Sequence, residues 1–147
     1  MQAQQVGVKS RESKTDFTEH YQKHRQILED SCQVNIQAMI DLRRAIHKHP
    51  EGGFQEFETQ KKIKAKLLEI GIDESCIKPC AGTGLVVDLR GSGPESKEGP
   101  VSAVALRADM DGLPIPENNP HLDYKSTTDF AHLCGHDGHM ATITSCA

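Results

Sequence analysis

Aromatic and apolar residues are scarce in this chain of 147 residues. It has no tryptophan, two tyrosines and four phenylalanines, and its hydrophobic fraction is only 36%. This length is typical of one domain, but a compact domain of that size usually holds more apolar side chains to bury. We therefore expect an incomplete or partly disordered chain, and not one that is unable to fold.

Several kinds of segment are also missing from the sequence. No apolar run is long enough to cross a bilayer, and residues 1 to 20 lack the apolar stretch of a secretory signal peptide. The formal net charge of −4 gives no basic face for nucleic acid. The five cysteines are an odd number, which without a secretion signal favours a reducing compartment. We expect a cytoplasmic protein with no nucleic-acid or membrane partner.

A polar tail and a long helix are predicted at the start of the chain. Residues 1 to 16 are polar and without pattern, which predicts disorder, and the domain would then occupy residues 17 to 147. Apolar side chains recur at helical spacing between Asp16 and His49, and Pro50 would end that helix.

The pattern of a second helix is clearer. Thr59 can serve as its N-terminal cap. Apolar residues then follow at i, i+4 and i+7, which places them on one face; these are Ile63, Leu67 and Ile70. Gly71 can adopt the left-handed conformation that ends a helix.

Two segments have the pattern of strands. Leu85–Arg90 alternates in polarity, and Val101–Leu106 is a continuous run of small, mostly apolar residues that predicts a strand buried on both faces. Helices, then strands, then a further helix predicted near His139 indicate an α/β fold with helices packed on a mixed sheet. Asp109 and Asp111 follow the predicted buried strand, where ligands of α/β sheets gather. They either line a site or cap local backbone amides.

The segment from His132 to His139 concentrates metal-binding chemistry. It holds three histidines, one cysteine and one aspartate around two glycines, and imidazole, thiolate and carboxylate groups bind zinc and manganese. Alternate residues of an extended loop point to the same side, so Cys134 and His136 can converge on one ion. Asp137 and the last histidine can then orient these ligands or meet a substrate. We interpret the segment as a metal site, against the alternative of ordinary loop histidines and a buried thiol.

Three blocks of the sequence together resemble the M20 family of metallopeptidases. The blocks are Leu42–Glu51, Ala105–Ile115 and His132–Ala141, and they stand in the order and at the spacing of the family's motifs. The resemblance is to the amidohydrolase branch, which includes hippurate hydrolases, N-acyl-amino-acid amidohydrolases and auxin-conjugate hydrolases. It runs from about Ile40 to the last residue. A mild departure is Gly112, which stands where the family usually has alanine.

This resemblance implies the fold and the chemistry of a zinc-exopeptidase-like catalytic domain. Cys134 and His136 would be ligands in a site for two divalent ions, zinc or manganese, and Asp111 would lie behind the site and orient a ligand. The residues implied around the ligands or at the substrate are His139, Asp137 and Asp109. The reaction implied is hydrolysis of the amide bond of a small N-acyl amino acid.

Some parts of the family's site have no counterpart in these residues. The family's paired glutamates include the general base, and no Glu-Glu pair occurs in this sequence. The family's later histidine ligands and its lid domain, used for dimerisation, are also missing. The resemblance therefore predicts the N-terminal part of such a hydrolase, present as a truncated chain that is inactive alone.

Two alternatives to this prediction remain open. The chain could be a non-catalytic binding or assembly module that keeps half of the hydrolase fold and binds a protein partner. It could also be a standalone zinc module, in which His132 would add a ligand to those of the motif.

Overall fold

The computed structural model of the protein describes residues 15–91 and 103–147. The elements in these ranges are helix α1 (Thr15–His47), helix α2 (Phe57–Glu69), a short 3-10 helix (Glu74–Cys76), strand β1 (Ile77–Cys80), strand β2 (Gly84–Val87) and helix α3 (His136–Ser145). The chain divides into two compact units, 1–36 and 37–147. The tail predicted for residues 1 to 16 lies outside the described ranges except for Thr15 and Asp16, which begin α1. The predicted domain limits stay a prediction.

The first unit consists, in its described part, of the N-terminal portion of α1. Polar side chains one turn apart pair along its surface: Arg25 Nε donates to Glu29 Oε1 at 2.8 Å, and Gln26 Nε2 donates to Asp30 Oδ1 at 2.9 Å. Such pairs each stabilise an exposed helix by about 0.2–0.5 kcal/mol. Large apolar side chains are exposed in the same stretch; these are Tyr21, Ile27, Leu28 and Ile36.

The hydrophobic core lies in the second unit, where three helices and a hairpin contribute side chains. Its buried members are Leu42 and Ile46 of α1, Ile63 and Leu67 of α2, Ile77 of β1, and Met140 and Ala141 of α3. The apolar face predicted for α2 is therefore confirmed at its first two positions. Ile70 is exposed because the helix ends at Glu69, one residue earlier.

Both ends of α2 show how the local sequence sets the helix limits. The prediction that Thr59 caps the helix is wrong: the helix begins at Phe57, and Thr59 is buried in its first turn. The free backbone donors of that turn are bonded by Glu51, whose carboxylate accepts from Glu58 N at 3.1 Å, Thr59 N at 2.8 Å and Thr59 Oγ1 at 2.8 Å. At the other end Gly71 takes the predicted left-handed conformation, with φ of 97°.

The described strands form one antiparallel hairpin, in which Ile77 pairs with Val87 and Cys80 pairs with Gly84. The strand predicted over 85–90 is thus confirmed at Leu85–Val87 but ends earlier. The strand predicted over 101–106 is wrong where it can be compared: residues 101 and 102 lie outside the described residues, residues 103–106 form no strand, and Val104 is 91% exposed. An apolar run shows a tendency to be buried, but a strand also needs a neighbour to bond its backbone, and this segment has none in the described ranges.

Across residues 15–91 and 103–147, no helix has both the length and the apolar character needed to cross a bilayer. Helix α1 has sufficient length, but it carries many charged side chains.

Candidate metal centre

Two loops that are distant in sequence are joined beside the histidine-rich motif. Leu113 and Ala131 form an isolated antiparallel bridge, in which each backbone N–H donates to the other residue's carbonyl at 2.9 Å. The Gly112 N–H donates to the Glu51 carbonyl at 2.7 Å. Because Ala131 directly precedes the motif, this bridge places the acidic turn that contains Asp111 next to the predicted metal ligands.

A glycine turn orients the first residue of α3. Gly135 precedes the helix with φ of 83°, a left-handed conformation that glycine adopts without steric cost. Its carbonyl accepts from Gly138 N at 3.0 Å and from His139 N at 3.1 Å, which starts the helix at His136. The helix therefore begins three residues before the position near His139 that the sequence predicted.

The His136 ring is held by Asp111. Its Nδ1 lies 2.9 Å from the Asp111 backbone carbonyl oxygen and 3.1 Å from Asp111 Oδ1. A carbonyl oxygen only accepts hydrogen bonds, so Nδ1 must carry the hydrogen. In a neutral ring Nε2 then keeps its lone pair, which is the form in which histidine binds a metal ion.

Cys134 stands two residues before His136, and its side chain is exposed as a free thiol. A thiolate beside an imidazole is a donor pair that suits zinc. Within the described ranges no three histidine, cysteine, aspartate or glutamate side chains are grouped so as to hold a metal ion. The donor types therefore fit a divalent metal, but a closed site needs more ligands than this part of the chain brings together.

The other polar residues expected around the ligands differ in their placement. His139 is exposed, and its ring centroid lies 6.2 Å from that of His136. Asp109 is exposed and pairs with Arg107, whose Nη2 lies 2.6 Å from Oδ1. His139 is thus near a predicted ligand, whereas the Asp109 carboxylate is paired with Arg107 of its own loop.

Asp137 faces the interior of the second unit. It is completely buried, and its Oδ2 accepts from Arg43 Nε at 3.0 Å and from His47 Nδ1 at 2.9 Å. Burial alone opposes ionisation, but the hydrogen bonds from His47 and Arg43 outweigh it and lower the pKa of Asp137. This aspartate therefore links the first turn of α3 to α1.

A second buried carboxylate, Glu117, extends this link and was missed by sequence reasoning. Its Oε1 lies 3.2 Å from His47 Nε2 and accepts from Asn119 Nδ2 at 2.8 Å, while Oε2 accepts from Ser126 N at 2.6 Å. Burial opposes ionisation here too, but the Asn119, Ser126 and His47 hydrogen bonds outweigh it and lower the pKa of Glu117 to about 2. Nothing in the sequence near Glu117 marks it, whereas His47 lies in the block Leu42–Glu51 and Asp137 lies in the histidine-rich motif.

His132 is the most isolated polar group of the motif. It is 4% exposed, and neither ring nitrogen has a hydrogen-bond partner among the described residues. Its ring centroid lies 6.3 Å from that of His47. Burial lowers the pKa of His132, because the low-polarity surroundings disfavour the charged ring. The neutral form of the ring, which has a lone pair on one nitrogen, is thereby favoured.

Comparison with known sequences finds hydrolases. The chain is 42% identical over 110 residues to an N-acetylcysteine deacetylase of Bacillus subtilis (strain 168). The aligned residues cover 74% of this chain and 27% of that protein. It is also 42% identical over 109 residues to the IAA-amino acid hydrolase ILR1-like 2 of Arabidopsis thaliana, covering 74% of this chain and 23% of that protein. No family model matches the chain.

Comparison with solved structures gives the same answer. A Bacillus subtilis protein described as a dinuclear metal binding peptidase from the M20 family superposes with a TM-score of 0.63 at 38% identity, covering 76% of this chain and 29% of that chain. A putative aminohydrolase from methicillin-resistant Staphylococcus aureus also superposes with a TM-score of 0.63, at 30% identity and over 82% of this chain.

The described fold matches part of the α/β catalytic domain of solved M20 structures. The chain belongs to the M20 family, in its amidohydrolase branch, which confirms the resemblance stated from the sequence motifs. It spans 27% of the length of the deacetylase and 23% of the length of the plant hydrolase.

Proposed function

We propose that this chain supplies part of the metal site of an amidohydrolase that cleaves N-acyl amino acids. Cys134 and His136 are the metal ligands it contributes to a two-ion site. The proposed substrate class is supported by the names of two relatives, a deacetylase of N-acetylcysteine and a hydrolase of IAA-amino acids. The proposed pair of ions is supported by the name of the dinuclear metal binding peptidase.

The contact between His136 and Asp111 is the observation that carries this proposal. Because Nδ1 donates to the Asp111 carbonyl at 2.9 Å, Nε2 is the nitrogen available to an ion. The Asp111 carboxylate, 3.1 Å from the same Nδ1, favours this ring orientation and makes the other nitrogen a stronger donor. In this proposal Asp111 takes the role of the orienting acid that the family resemblance implies.

The residues around the ligands have separate tasks in this proposal. Asp137 bonds to His47 of α1 and so holds in place the turn that contains His136. His139 lies close enough to His136 to line the same site. Asp109 would have to leave Arg107 to contact the substrate. When bound, a pair of divalent ions, zinc or manganese, would lower the pKa of a shared water and stabilise negative charge on the acyl oxygen.

The base that removes the proton from the attacking water is not supplied by these residues. The family's general base belongs to a Glu-Glu pair, and the sequence contains none. We infer that the 147 residues bind metal weakly and do not hydrolyse amides by themselves. The cytoplasmic location expected from the sequence stays a prediction.

Titration of the chain with Co²⁺ tests the proposed ligands. Cobalt replaces zinc at many sites, and a thiolate ligand gives it a charge-transfer absorption. We expect this absorption for the unaltered chain and for Cys32→Ser, whose exposed thiol lies in the first unit. We expect its loss in Cys134→Ser and a weaker affinity in His136→Ala.

The same titration separates the proposed site from the alternative module. A binding or assembly module that kept the fold without the metal would show no thiolate absorption, or the same absorption in Cys134→Ser. Either result would overturn the proposed function.

A further inference from the structure

We propose that Glu117 is a positioning residue for the metal ligands, acting through His47 and Asp137 on the first turn of α3. This inference rests on the proposed function, because it assumes that His136 is a ligand. It concerns a residue that belongs to none of the three motifs and is separated from its partner His47 by 70 positions.

The contacts form a continuous buried path between three segments. Glu117 Oε1 lies 3.2 Å from His47 Nε2, and His47 Nδ1 lies 2.9 Å from Asp137 Oδ2. Both carboxylates have no exposed side-chain area, and the histidine side chain is 8% exposed. Asp137 is the residue directly after His136, so the path ends at the backbone that carries the proposed ligand.

The chemistry of the path makes both carboxylates necessary. Glu117 Oε1 and Asp137 Oδ2 lie against opposite nitrogens of the His47 ring. The ring is therefore held from both sides by buried carboxylates, which accept hydrogen bonds. Loss of the Glu117 carboxylate would leave the ring with one close carboxylate, that of Asp137, and free it to rotate.

Two further donors hold the Glu117 side chain in place. Asn119 Nδ2 and Ser126 N donate to its two oxygens at 2.8 and 2.6 Å. These donors belong to the loop that runs from the acidic turn to the motif, so Glu117 ties that loop to α1. Glu117 therefore joins three segments: the loop that follows Asp111, helix α1 and, through His47, helix α3. We infer that these contacts limit the movement of the His136 ring relative to Asp111.

The test is Co²⁺ binding by the full chain carrying Glu117→Gln. Glutamine keeps the shape of the side chain but has only one acceptor oxygen, so it cannot satisfy the donors on both sides. We expect the affinity for Co²⁺ to fall, by no more than the roughly 10–100-fold that is lost when a direct partner of a metal ligand is removed. The thiolate absorption at saturation should remain, because Cys134 is untouched.

Two further variants separate positioning from general stability. Ile63→Val removes a methyl group from the core on α2, so it should lower the melting temperature without changing Co²⁺ affinity. Asn119→Ala removes one donor to Glu117 from a half-buried position, so it should fold and weaken Co²⁺ binding less than Glu117→Gln does.

Each result decides the inference. Unchanged affinity in a folded Glu117→Gln chain would overturn it, and so would an equal loss in Ile63→Val at a matched fall in melting temperature. If Glu117→Gln does not fold, the affinity of Asn119→Ala decides: a loss supports the role, and no loss overturns it. Absence of the thiolate absorption in the unaltered chain would overturn the proposed function as well, so the two failures are distinguishable.

Discussion

The side chains of His47 and Asp137 meet inside the protein, with Nδ1 2.9 Å from Oδ2 and both residues buried. This contact joins the last residue of α1 to the second residue of α3 across 90 positions of sequence. Because His136 lies between Asp137 and the Gly135 turn, the contact limits the positions that the proposed metal ligand can take.

Removal of the Asp137 charge should lower the stability of the chain. Asp137→Asn keeps the size of the side chain but weakens the hydrogen bonds from His47 and from Arg43, and such charge-assisted bonds contribute about 2 kcal/mol. We expect a loss of this order in the free energy of unfolding, measured with urea. The control is Asp41→Asn, an exposed residue of α1 that accepts from Gln37; its effect should stay within about 0.5 kcal/mol. An equal effect in the two variants would contradict the proposed link.

Stability should fall in acid because of Glu117. Its pKa is lowered from 4.5 to about 2 in the folded chain, so the stability it contributes is present above pH 4.5 and is lost as the pH falls towards 2. Asp137, whose pKa is lowered from 3.8, acts in the same direction. Urea unfolding at several pH values should show this loss for the unaltered chain and a smaller loss for Glu117→Gln. Equal pH dependence in both would rule out Glu117 as a source.

The carboxylate of Glu51 should stabilise the start of α2. It accepts from two backbone N–H groups and one hydroxyl of the first turn, and loss of a helix cap costs about 1 kcal/mol. We expect Glu51→Ala to lower the free energy of unfolding by this amount or more. Glu74→Ala, which removes an exposed ion pair with Lys64, should have a smaller effect. The account of the cap fails if the exposed variant is the more damaging one.

Hydrolysis is expected only when the missing part of the site is supplied. The 147-residue chain with zinc or manganese should not deacetylate N-acetylcysteine. A chimera in which the matched 110 residues of this chain replace those of the Bacillus subtilis deacetylase should do so, and Cys134→Ser should reduce its rate by about 100-fold or more. Hydrolysis by the isolated chain would contradict the prediction. An active chimera whose hydrolysis rate is unchanged by Cys134→Ser would contradict it as well.

The helices were predicted well because their signals are local. The left-handed residue that ends α2 was identified as Gly71, and α1 ends within two residues of the predicted limit at His49. The cap of α2 was assigned to Thr59 because the true acceptor, Glu51, lies outside the helix and reaches back to it from a loop. Helix limits therefore follow from neighbouring residues, whereas caps made by other segments do not.

The metal motif was recognised, and Asp111 and Asp137 were expected around its ligands, but Glu117 was missed. Cys134 and His136 stand out because several ligand types occur within a few residues of one another. The path from Glu117 through His47 to Asp137 joins residues 70 and 90 positions apart, and no local pattern in the sequence shows that they meet. The turn that contains Asp111 lies beside the motif through the contact of Asp111 with His136 and through the backbone bridge between Leu113 and Ala131.

X-ray absorption at the zinc edge tests the central claim most directly, because it reports the atoms bound to the ion. For the zinc-loaded chain we predict one sulfur ligand at about 2.3 Å and at least one imidazole nitrogen at about 2.0–2.1 Å. The sulfur contribution should disappear in Cys134→Ser and remain in Cys32→Ser. A shell of nitrogen and oxygen alone in the unaltered chain would contradict the assignment of Cys134 as a ligand.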